Sequence, residues 1–360
     1  MAGELHPERS HAANSAGRRL RRVLLLVAAA AVVIAVIAVL AYIASEGSGT
    51  LVYGDGVPHG CATPAEMGWA YEAINYDIAL DARLPVDNPD WLTDCPKRGA
   101  GTAGTEVVSS DGVRLAGWYI QSGDKDPPTA PTVVIVHGWG VNKSDTLRYA
   151  ATMHDQYNLL LIDTRAAGRS SGDMMTFGVR ESLDLKAMLD WLVRTKHPSA
   201  IAVFGDSGGA AAASKLARTD QRIKALILES AHARAANPIE QRVGREAVKR
   251  LGPAAPPPSV SAWVVQVGIW ARSGAWLGDA APIDAIPDLG SRPLAIIYGT
   301  ADEEDLPDKN AEVLFAAAQA AGVPVETHAC PGATHGKVVD KCPNEYRTWV
   351  GSFLERAIGS

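Results

Sequence analysis

The feature that most constrains this chain is a repeated alternation of short apolar runs with longer helical patterns after residue 130. Apolar runs without a polar face are typical of parallel strands that are buried on both faces. Helices that alternate with such strands cover both faces of a doubly wound sheet. The sequence therefore predicts an α/β fold with a mostly parallel sheet. The predicted strands are 132–136, 158–162, 200–204, 223–228, 293–298 and 324–328, and the predicted helices are 144–156, 179–195, 208–219, 308–321 and 344–357.

One long insertion interrupts this alternation. Residues 232–290 separate two predicted strands and contain a proline-rich stop at 252–258, followed by an apolar stretch with Trp263, Trp270 and Trp276. We expect this insertion to form a cap over the sheet. Before the alternation, segments 106–109 and 113–120 flank a turn and predict a hairpin. A chain of 360 residues has room for one such domain, predicted at 104–360, with accessory segments before it.

The N-terminal region predicts a membrane anchor. Residues 23–43 contain no charge, proline or glycine, and as a helix they would span about 30 Å, the thickness of a hydrocarbon core. Four arginines at 18, 19, 21 and 22 precede the run, so the positive-inside rule predicts a cytoplasmic tail at 1–22. Everything after the run would then be exported. A cleaved signal peptide is the alternative, but its apolar region is usually shorter, at about 7 to 15 residues.

Charge argues against nucleic acid as a partner. The formal net charge is −6, and because residues 1–22 hold five Arg and two Glu, the rest of the chain is at −9. Nucleic-acid binding needs a clustered basic face, which this acidic remainder does not favour.

All four cysteines lie beyond the apolar run, where an oxidising compartment would let them pair. We favour the two local pairs, Cys61 with Cys95 and Cys330 with Cys342; four buried free thiols are the alternative. The first pair would close a segment within the predicted extracytoplasmic tether, 44–103, which contains a helix-like run near 65–82. None of the cysteines has metal-site spacing.

Ser207 lies in a motif that indicates a nucleophile. The sequence Gly205-Asp206-Ser207-Gly208-Gly209 falls between a predicted strand and an alanine-rich helix, and it matches the pattern of a nucleophile elbow. Glycines at 205 and 209 remove the Cβ atoms that would clash in such a turn. The same five letters surround the nucleophile of chymotrypsin-like proteases, but those are all-β and carry their histidine before the serine.

The partners of Ser207 are predicted at the ends of other strands. Asp302 follows the strand 293–298, at the edge where catalytic groups of open α/β sheets gather, with Glu229 as an alternative acid. His335 lies in a glycine-flanked loop after the last strand and is the predicted base. The segment 133–140 runs from a strand into a glycine turn, so the N–H groups of Trp139 and Gly208 are predicted to form an oxyanion hole.

From about residue 105 to its end, the chain resembles the α/β-hydrolase superfamily. The resemblance rests on the elbow, the oxyanion strand, the order Ser207, Asp302, His335, and a segment at 163–170 that is similar to the family's structural Asp-x-Arg-x-x-Gly-x-Ser loop. Residues 113–119 are similar to the branch that contains prolyl-oligopeptidase-like and serine-aminopeptidase-like domains. The resemblance implies an α/β-hydrolase fold.

Three functions remain open on the sequence. The first is hydrolysis of carboxylic esters or related acyl groups, small or lipophilic, through an acyl-enzyme. The second is cleavage of peptide or aminoacyl amide bonds. The third is a catalytically silent binding protein tethered to the membrane. The hydrolytic chemistry requires neither a metal nor another cofactor.

Overall fold

The computed structural model describes residues 25, 33–47, 49, 62–74, 106–123, 130–234, 236–302 and 307–359. Its centre is an eight-stranded sheet in the order β1-β4-β6-β5-β7-β8-β9-β10. The strands from β6 to β10 are mutually parallel, whereas β4 pairs antiparallel with both β1 and β6. This is the mostly parallel sheet of an α/β-hydrolase fold. The strands are β1 Tyr71–Ile74, β2 Val107–Val108, β3 Arg114–Leu115, β4 Gly117–Ile120, β5 Thr132–Val136, β6 Asn158–Ile162, β7 Ile201–Asp206, β8 Ile223–Glu229, β9 Leu294–Gly299 and β10 Val325–Cys330.

Helices cover both faces of this sheet because its central strands are apolar on both sides. Val134 and Val203 point into one buried cluster, whereas Val133 and Phe204 point into the other, as the two-residue period of a strand requires. The helices are α1 Leu147–Ala150, α2 Glu181–Lys196, α3 Gly208–Ala217, α4 Ala236–Leu251, α5 Pro258–Ser273, α6 Pro282–Ala285, α7 Pro307–Ala320, α8 Val338–Lys341 and α9 Pro343–Ile358.

The predicted helix near 65–82 is wrong where the structure describes it. A 3-10 helix at Pro64–Met67 ends at Gly68, which takes a left-handed φ of 76°. The chain then forms β1, which pairs with β4 and adds an edge strand to the sheet. Part of the segment predicted as a tether therefore belongs to the sheet.

Two other elements are shorter than predicted. The strand expected at 113–120 is divided at Ala116, whose N–H donates to Ser170 Oγ (2.8 Å), so β3 pairs with β2 and β4 joins the large sheet. The helix expected at 144–156 contains only the four residues of α1. Thr146 and Thr152 donate their hydroxyls to carbonyls three residues earlier, a local bond that competes with helix.

The predicted cap insertion contains α4 and α5, joined by a 3-10 turn at Gly252–Ala254. Buried residues of both helices, among them Ile239, Val243 and Val265, form an apolar cluster of their own. Residues 33–47 are helical and pack one face, which includes Ile43, against this cluster. The remainder of the predicted span 23–43, apart from residue 25, lies outside the described residues. Among the described helices, none combines the length and hydropathy that crossing a membrane requires.

The predicted pair Cys330 and Cys342 forms a disulfide, with Cα atoms 6.2 Å apart. This confirms one of the two expected local pairs. Cys61 and Cys95 lie outside the described residues.

Candidate active site

Ser207 lies at the sharp turn between β7 and α3. Its φ of 49° is left-handed, a conformation that costs energy for a residue with a side chain and that recurs at functional sites. The turn is anchored because Ser207 donates its N–H to the carbonyl of Glu229 on the neighbouring strand (2.9 Å).

Glycine is required on both sides of this turn. A Cβ on Gly205 would lie 2.6 Å from the backbone nitrogen of Ala210, and one on Gly209 would lie 2.2 Å from the carbonyl oxygen of Val136. Both distances are far below van der Waals contact, so a side chain at either position would push the helix away from the sheet. The spacing of the two glycines thus sets the position of the serine.

His335 and Asp302 meet Ser207 at the carboxyl edge of the sheet. His335 Nε2 lies 2.9 Å from Ser207 Oγ, and His335 Nδ1 lies 2.8 Å from Asp302 Oδ2. Asp302 follows β9 and is only 4% exposed, whereas His335 follows β10. The structure thus brings the three predicted side chains into one hydrogen-bonded chain. In this geometry the imidazole can accept a proton from the serine while the carboxylate orients it.

The two predicted oxyanion donors lie beside the serine. A Cβ added to Gly208 would be 3.2 Å from the backbone nitrogen of Trp139, and a Cβ on Gly138 would be 3.2 Å from the Cβ of Ser207. Gly208 is the first residue of α3, where a backbone N–H has no acceptor within the helix. The segment after β5 therefore approaches the elbow closely enough for both N–H groups to face one oxyanion.

The loop that carries His335 is held at three points. The disulfide joins the end of β10 to the start of α9 across it. Within it, Gly336 donates its N–H to Ser230 Oγ (3.0 Å) and accepts a bond from the Tyr149 hydroxyl (3.3 Å). These bonds fix the backbone next to the imidazole.

Glu229, the alternative acid, and the histidines His328 and His137 have other contacts. Glu229 is fully buried and accepts a hydrogen bond from the Tyr346 hydroxyl, and burial raises the pKa of its carboxyl to about 8. His328 hydrogen bonds to Glu326 and stacks on Trp349. His137 is buried and accepts the N–H of Thr164.

The segment 163–170 braces the oxyanion side of the site. Asp163 is buried and accepts the backbone N–H of Lys143 (2.9 Å) and of Arg169 (2.8 Å), as well as a bond from the Lys143 ammonium group. Gly168 has a φ of 53°, and a Cβ there would lie 2.2 Å from the Asp163 carboxylate. These contacts give the segment a structural role.

A cavity of about 640 Å³ opens above Ser207. Its apolar walls include Trp139 and Phe177, which stack on each other, and Pro238 and Ile239 from α4. Trp263, Trp270 and Trp276 are exposed at the surface of the cap and do not line this cavity. The apolar character next to the serine therefore comes from other residues than the cap tryptophans.

Sequence reasoning missed several residues of this site. His232 lies with its ring parallel to that of His335, at 5.3 Å between centroids. Arg242 and Arg245 of α4 line the cavity, and so do Arg148 and Lys337. His232 follows β8 at the carboxyl edge of the sheet, and this position in the sequence would have indicated a residue of the site. Within the described part of the chain, no group of three side chains has the arrangement of a metal site.

Comparison with known proteins agrees with the fold. Residues 127–268 match the family described as serine aminopeptidase, S33. An uncharacterised protein of Mycobacterium tuberculosis is 33% identical over 133 residues, which are 36% of this chain and 46% of that protein. The chain spans between 34% and 58% of the length of the curated relatives that it matches.

Two solved structures share the architecture. The Pf2001 esterase of Pyrococcus furiosus is 21% identical, with a TM-score of 0.59 over 83% of this chain and 96% of that one. The acylaminoacyl peptidase of Pyrococcus horikoshii is 16% identical, with a TM-score of 0.53 over 71% of this chain and 41% of that one. At these identities the likeness is one of fold alone.

Proposed function

The chain belongs to the α/β-hydrolase superfamily, and on that premise we propose that it is a serine hydrolase of carboxylic esters or related acyl bonds. The observation that carries the proposal is the pair of distances at His335, 2.9 Å to Ser207 Oγ and 2.8 Å to Asp302 Oδ2. A serine is an effective nucleophile only when a base accepts its proton, and these contacts supply both the base and the group that orients it.

The reaction follows from this geometry in two steps. Ser207 Oγ attacks the acyl carbon while His335 Nε2 takes its proton, and the N–H groups of Trp139 and Gly208 bind the oxyanion that develops. The imidazolium of His335, stabilised by the Asp302 carboxylate, then donates its proton to the leaving oxygen. A water molecule, deprotonated by His335, next attacks the acyl-serine, releases the carboxylic acid and restores Ser207.

The direct test is labelling by a fluorophosphonate probe. Ser207 should be the single residue labelled, and labelling should disappear in Ser207→Ala, since the probe reacts only with an activated serine. Ser214→Ala is a matched control because this serine is buried in α3, away from the cavity. Labelling that persists in Ser207→Ala would contradict the proposal.

A peptidase is the second candidate, favoured by the match to the serine aminopeptidase family. Amide cleavage uses the same residues but requires His335 to protonate an amine. Purified protein should be assayed against p-nitrophenyl esters and aminoacyl amides in parallel. Higher kcat/KM on the amides at matched acyl groups would favour the peptidase.

We further propose that the enzyme is anchored in the cell membrane by residues 23–43, with the catalytic domain outside the cytoplasm. The arginine cluster before the uncharged run supports this orientation. Protease added to intact cells should digest the domain and leave a fragment that retains residues 1–43. A domain that is protected until the membrane is broken would have the opposite orientation.

A further inference from the structure

The cavity above Ser207 is rich in cations, although the chain as a whole is acidic at −6. Three arginines and one lysine contribute to its walls: Arg148, Arg242, Arg245 and Lys337. Two acids, Asp145 and Asp206, also line it. The balance of charge in the cavity thus depends on how far these and neighbouring acids offset the cations.

The two acids differ in how far they can offset these cations. Asp206 is buried, and burial raises the pKa of its carboxyl above the usual value, which favours the neutral form. Asp145 accepts the backbone N–H of Asn142 in the loop after β5. Outside the cavity wall, Asp340 lies 3.0 Å from Arg148 and 3.3 Å from Lys337, so that one carboxylate serves two cations. Among the described residues that line the cavity, cations therefore outnumber acids by four to two.

Helix α4 contributes two exposed arginines to the wall of the cavity. Arg242 and Arg245 are three residues apart and so project from the same face. The Arg242 guanidinium lies 5.1 Å from the centre of the Trp139 ring, next to the proposed oxyanion donor. The neighbouring acid, Glu246, is paired with Arg250 (2.8 Å), and Arg245 forms no ion pair with a carboxylate in the described part of the chain.

We propose that the substrate of Ser207 carries an anionic group, a carboxylate or a phosphate, which Arg242 and Arg245 bind at the mouth of the cavity. The inference rests on the proposed hydrolase function and names its substrate class. Guanidinium groups bind such oxyanions through paired N–H donors. In a cleft with apolar walls their field is stronger than on an open surface, and it concentrates an anionic substrate near the serine.

The anionic group can lie on the acyl side or on the leaving-group side of the scissile bond. Two chromogenic esters distinguish these two positions. Mono-p-nitrophenyl glutarate has its charge on the acyl side. The butanoyl ester of 4-hydroxy-3-nitrobenzenesulfonate has its charge on the leaving group. Each is compared with neutral p-nitrophenyl butyrate at low ionic strength. We expect kcat/KM to be about tenfold higher for one of the anionic esters than for the neutral one, the gain of a charge-assisted contact.

The variants Arg242→Gln and Arg245→Gln should each remove most of that preference, so that the ratio of kcat/KM for the anionic and the neutral ester falls to within about twofold of one. Both arginines are exposed, so the substitutions remove charge without opening the core. Arg250→Gln is the matched control, since it removes the same charge from the same helix at a residue outside the cavity. Added salt should reduce the preference in the wild type, because it screens charges at exposed positions.

Equal kcat/KM for anionic and neutral esters, or a preference that survives in both arginine variants, would overturn the inference. If none of the esters is cleaved, the proposal of an ester hydrolase fails. A binding measurement then tests separately whether the cavity prefers an anionic ligand. In Ser207→Ala, monomethyl adipate should bind about tenfold more tightly than dimethyl adipate by titration calorimetry. Equal affinity for the two esters would overturn the inference.

Discussion

The imidazole ring of His232 lies nearly parallel to that of His335, with centroids 5.3 Å apart and planes inclined by 13°. His335 is thus bounded on its face by a ring and on its edge by the Asp302 carboxylate (2.8 Å). Its other nitrogen is directed at Ser207 Oγ. Because stacking resists tilt of the ring, we expect His232 to help hold the orientation of the proposed base.

We expect His232→Ala to lower kcat about tenfold. Without its neighbour the His335 ring is free to tilt, and a shift of its Nε2 by a fraction of an ångström weakens the alignment with the serine hydroxyl. His232→Phe retains a flat ring and should keep most of the activity. The measurement is kcat on a p-nitrophenyl ester that saturates the enzyme. Equal losses in both variants would show that the imidazole nitrogens of His232, and not its plane, are what matters.

Asp302→Asn should preserve the fold and lower kcat by about 10⁴-fold, since an amide holds the wrong tautomer of the imidazole in other triads. Asp288→Asn is a suitable control, because that carboxylate pairs with Arg218 at the surface. Steady-state kinetics with a melting curve for each variant separates activity from stability. If Glu229→Gln abolished turnover while Asp302→Asn did not, the acid would have to be reassigned.

The sequence predicted most where a local pattern of residues also determines a position in the folded sheet. The five central strands β5 to β9 are largely buried on both faces, and their apolar runs predicted the bounds of these strands within two residues. The edge strand β10 is partly exposed, and its bounds were predicted with the same accuracy. Ser207, Asp302 and His335 each follow a parallel strand, and topology alone then brings them to one edge. By contrast, β1 is a short edge strand that contributes few buried residues, and its composition does not distinguish it from a helix.

The cap residues could not be predicted in the same way. A helical period assigns Arg242 and Arg245 to one face of α4, but which surface lies beneath that face depends on how the insertion folds over β5 and α3. The role of the cap tryptophans was open for the same reason. The structure leaves Trp263 59% exposed and Trp270 54% exposed, so they are not buried between cap and core.

Glu229 should make the stability of the protein depend on pH. Burial raises the pKa of its carboxyl from 4.5 to about 8 in the folded protein, so the folded state holds this proton to higher pH than the unfolded chain. The stability that this bound proton contributes is fully present below a pH of about 4.5 and is lost as the pH rises through about 8. Glu229→Gln stays neutral throughout. Relative to the wild type it should therefore gain more than about 1 kcal/mol in free energy of unfolding between pH 5 and pH 9.

Urea unfolding of both proteins at pH 5, 7 and 9 measures this difference. Glu326→Gln is the control, because Glu326 is partly exposed and pairs with His328 and Arg356 at the surface. If the free energy of unfolding changed with pH in the same way in the wild type and in Glu229→Gln, Glu229 would have to be ionised in the folded protein across this range.

Removing the disulfide should affect turnover more than thermal stability. Closing a loop of this size contributes about 3 kcal/mol in the chain-entropy model, and strain often lowers that figure. Because Cys330 and Cys342 bracket His335, their loss frees the loop that positions the base, and a shift of about 1 Å can lower a rate about a hundredfold. Cys330→Ser combined with Cys342→Ser should show a loss in kcat of about a hundredfold and a fall in Tm of no more than about 10 °C. A fall in Tm with kcat unchanged below the transition would show that Ser230 and Tyr149 hold the loop without the bridge.

The outward face of α5 should contact lipid if the chain is anchored as proposed. Val260, Trp263 and Trp270 are exposed and follow helical spacing along α5, and the helical residues 33–47 pack against the same cap. Because the proposed span 23–43 includes part of that segment, it would hold this face near the bilayer surface, where tryptophan is enriched. In nanodiscs with brominated lipids, quenching of tryptophan fluorescence in the full chain should fall in Trp263→Phe combined with Trp270→Phe. It should not fall in Trp349→Phe, because Trp349 packs on His328 beside β10, outside the cap. Equal quenching in all three proteins would mean that the cap faces the solvent.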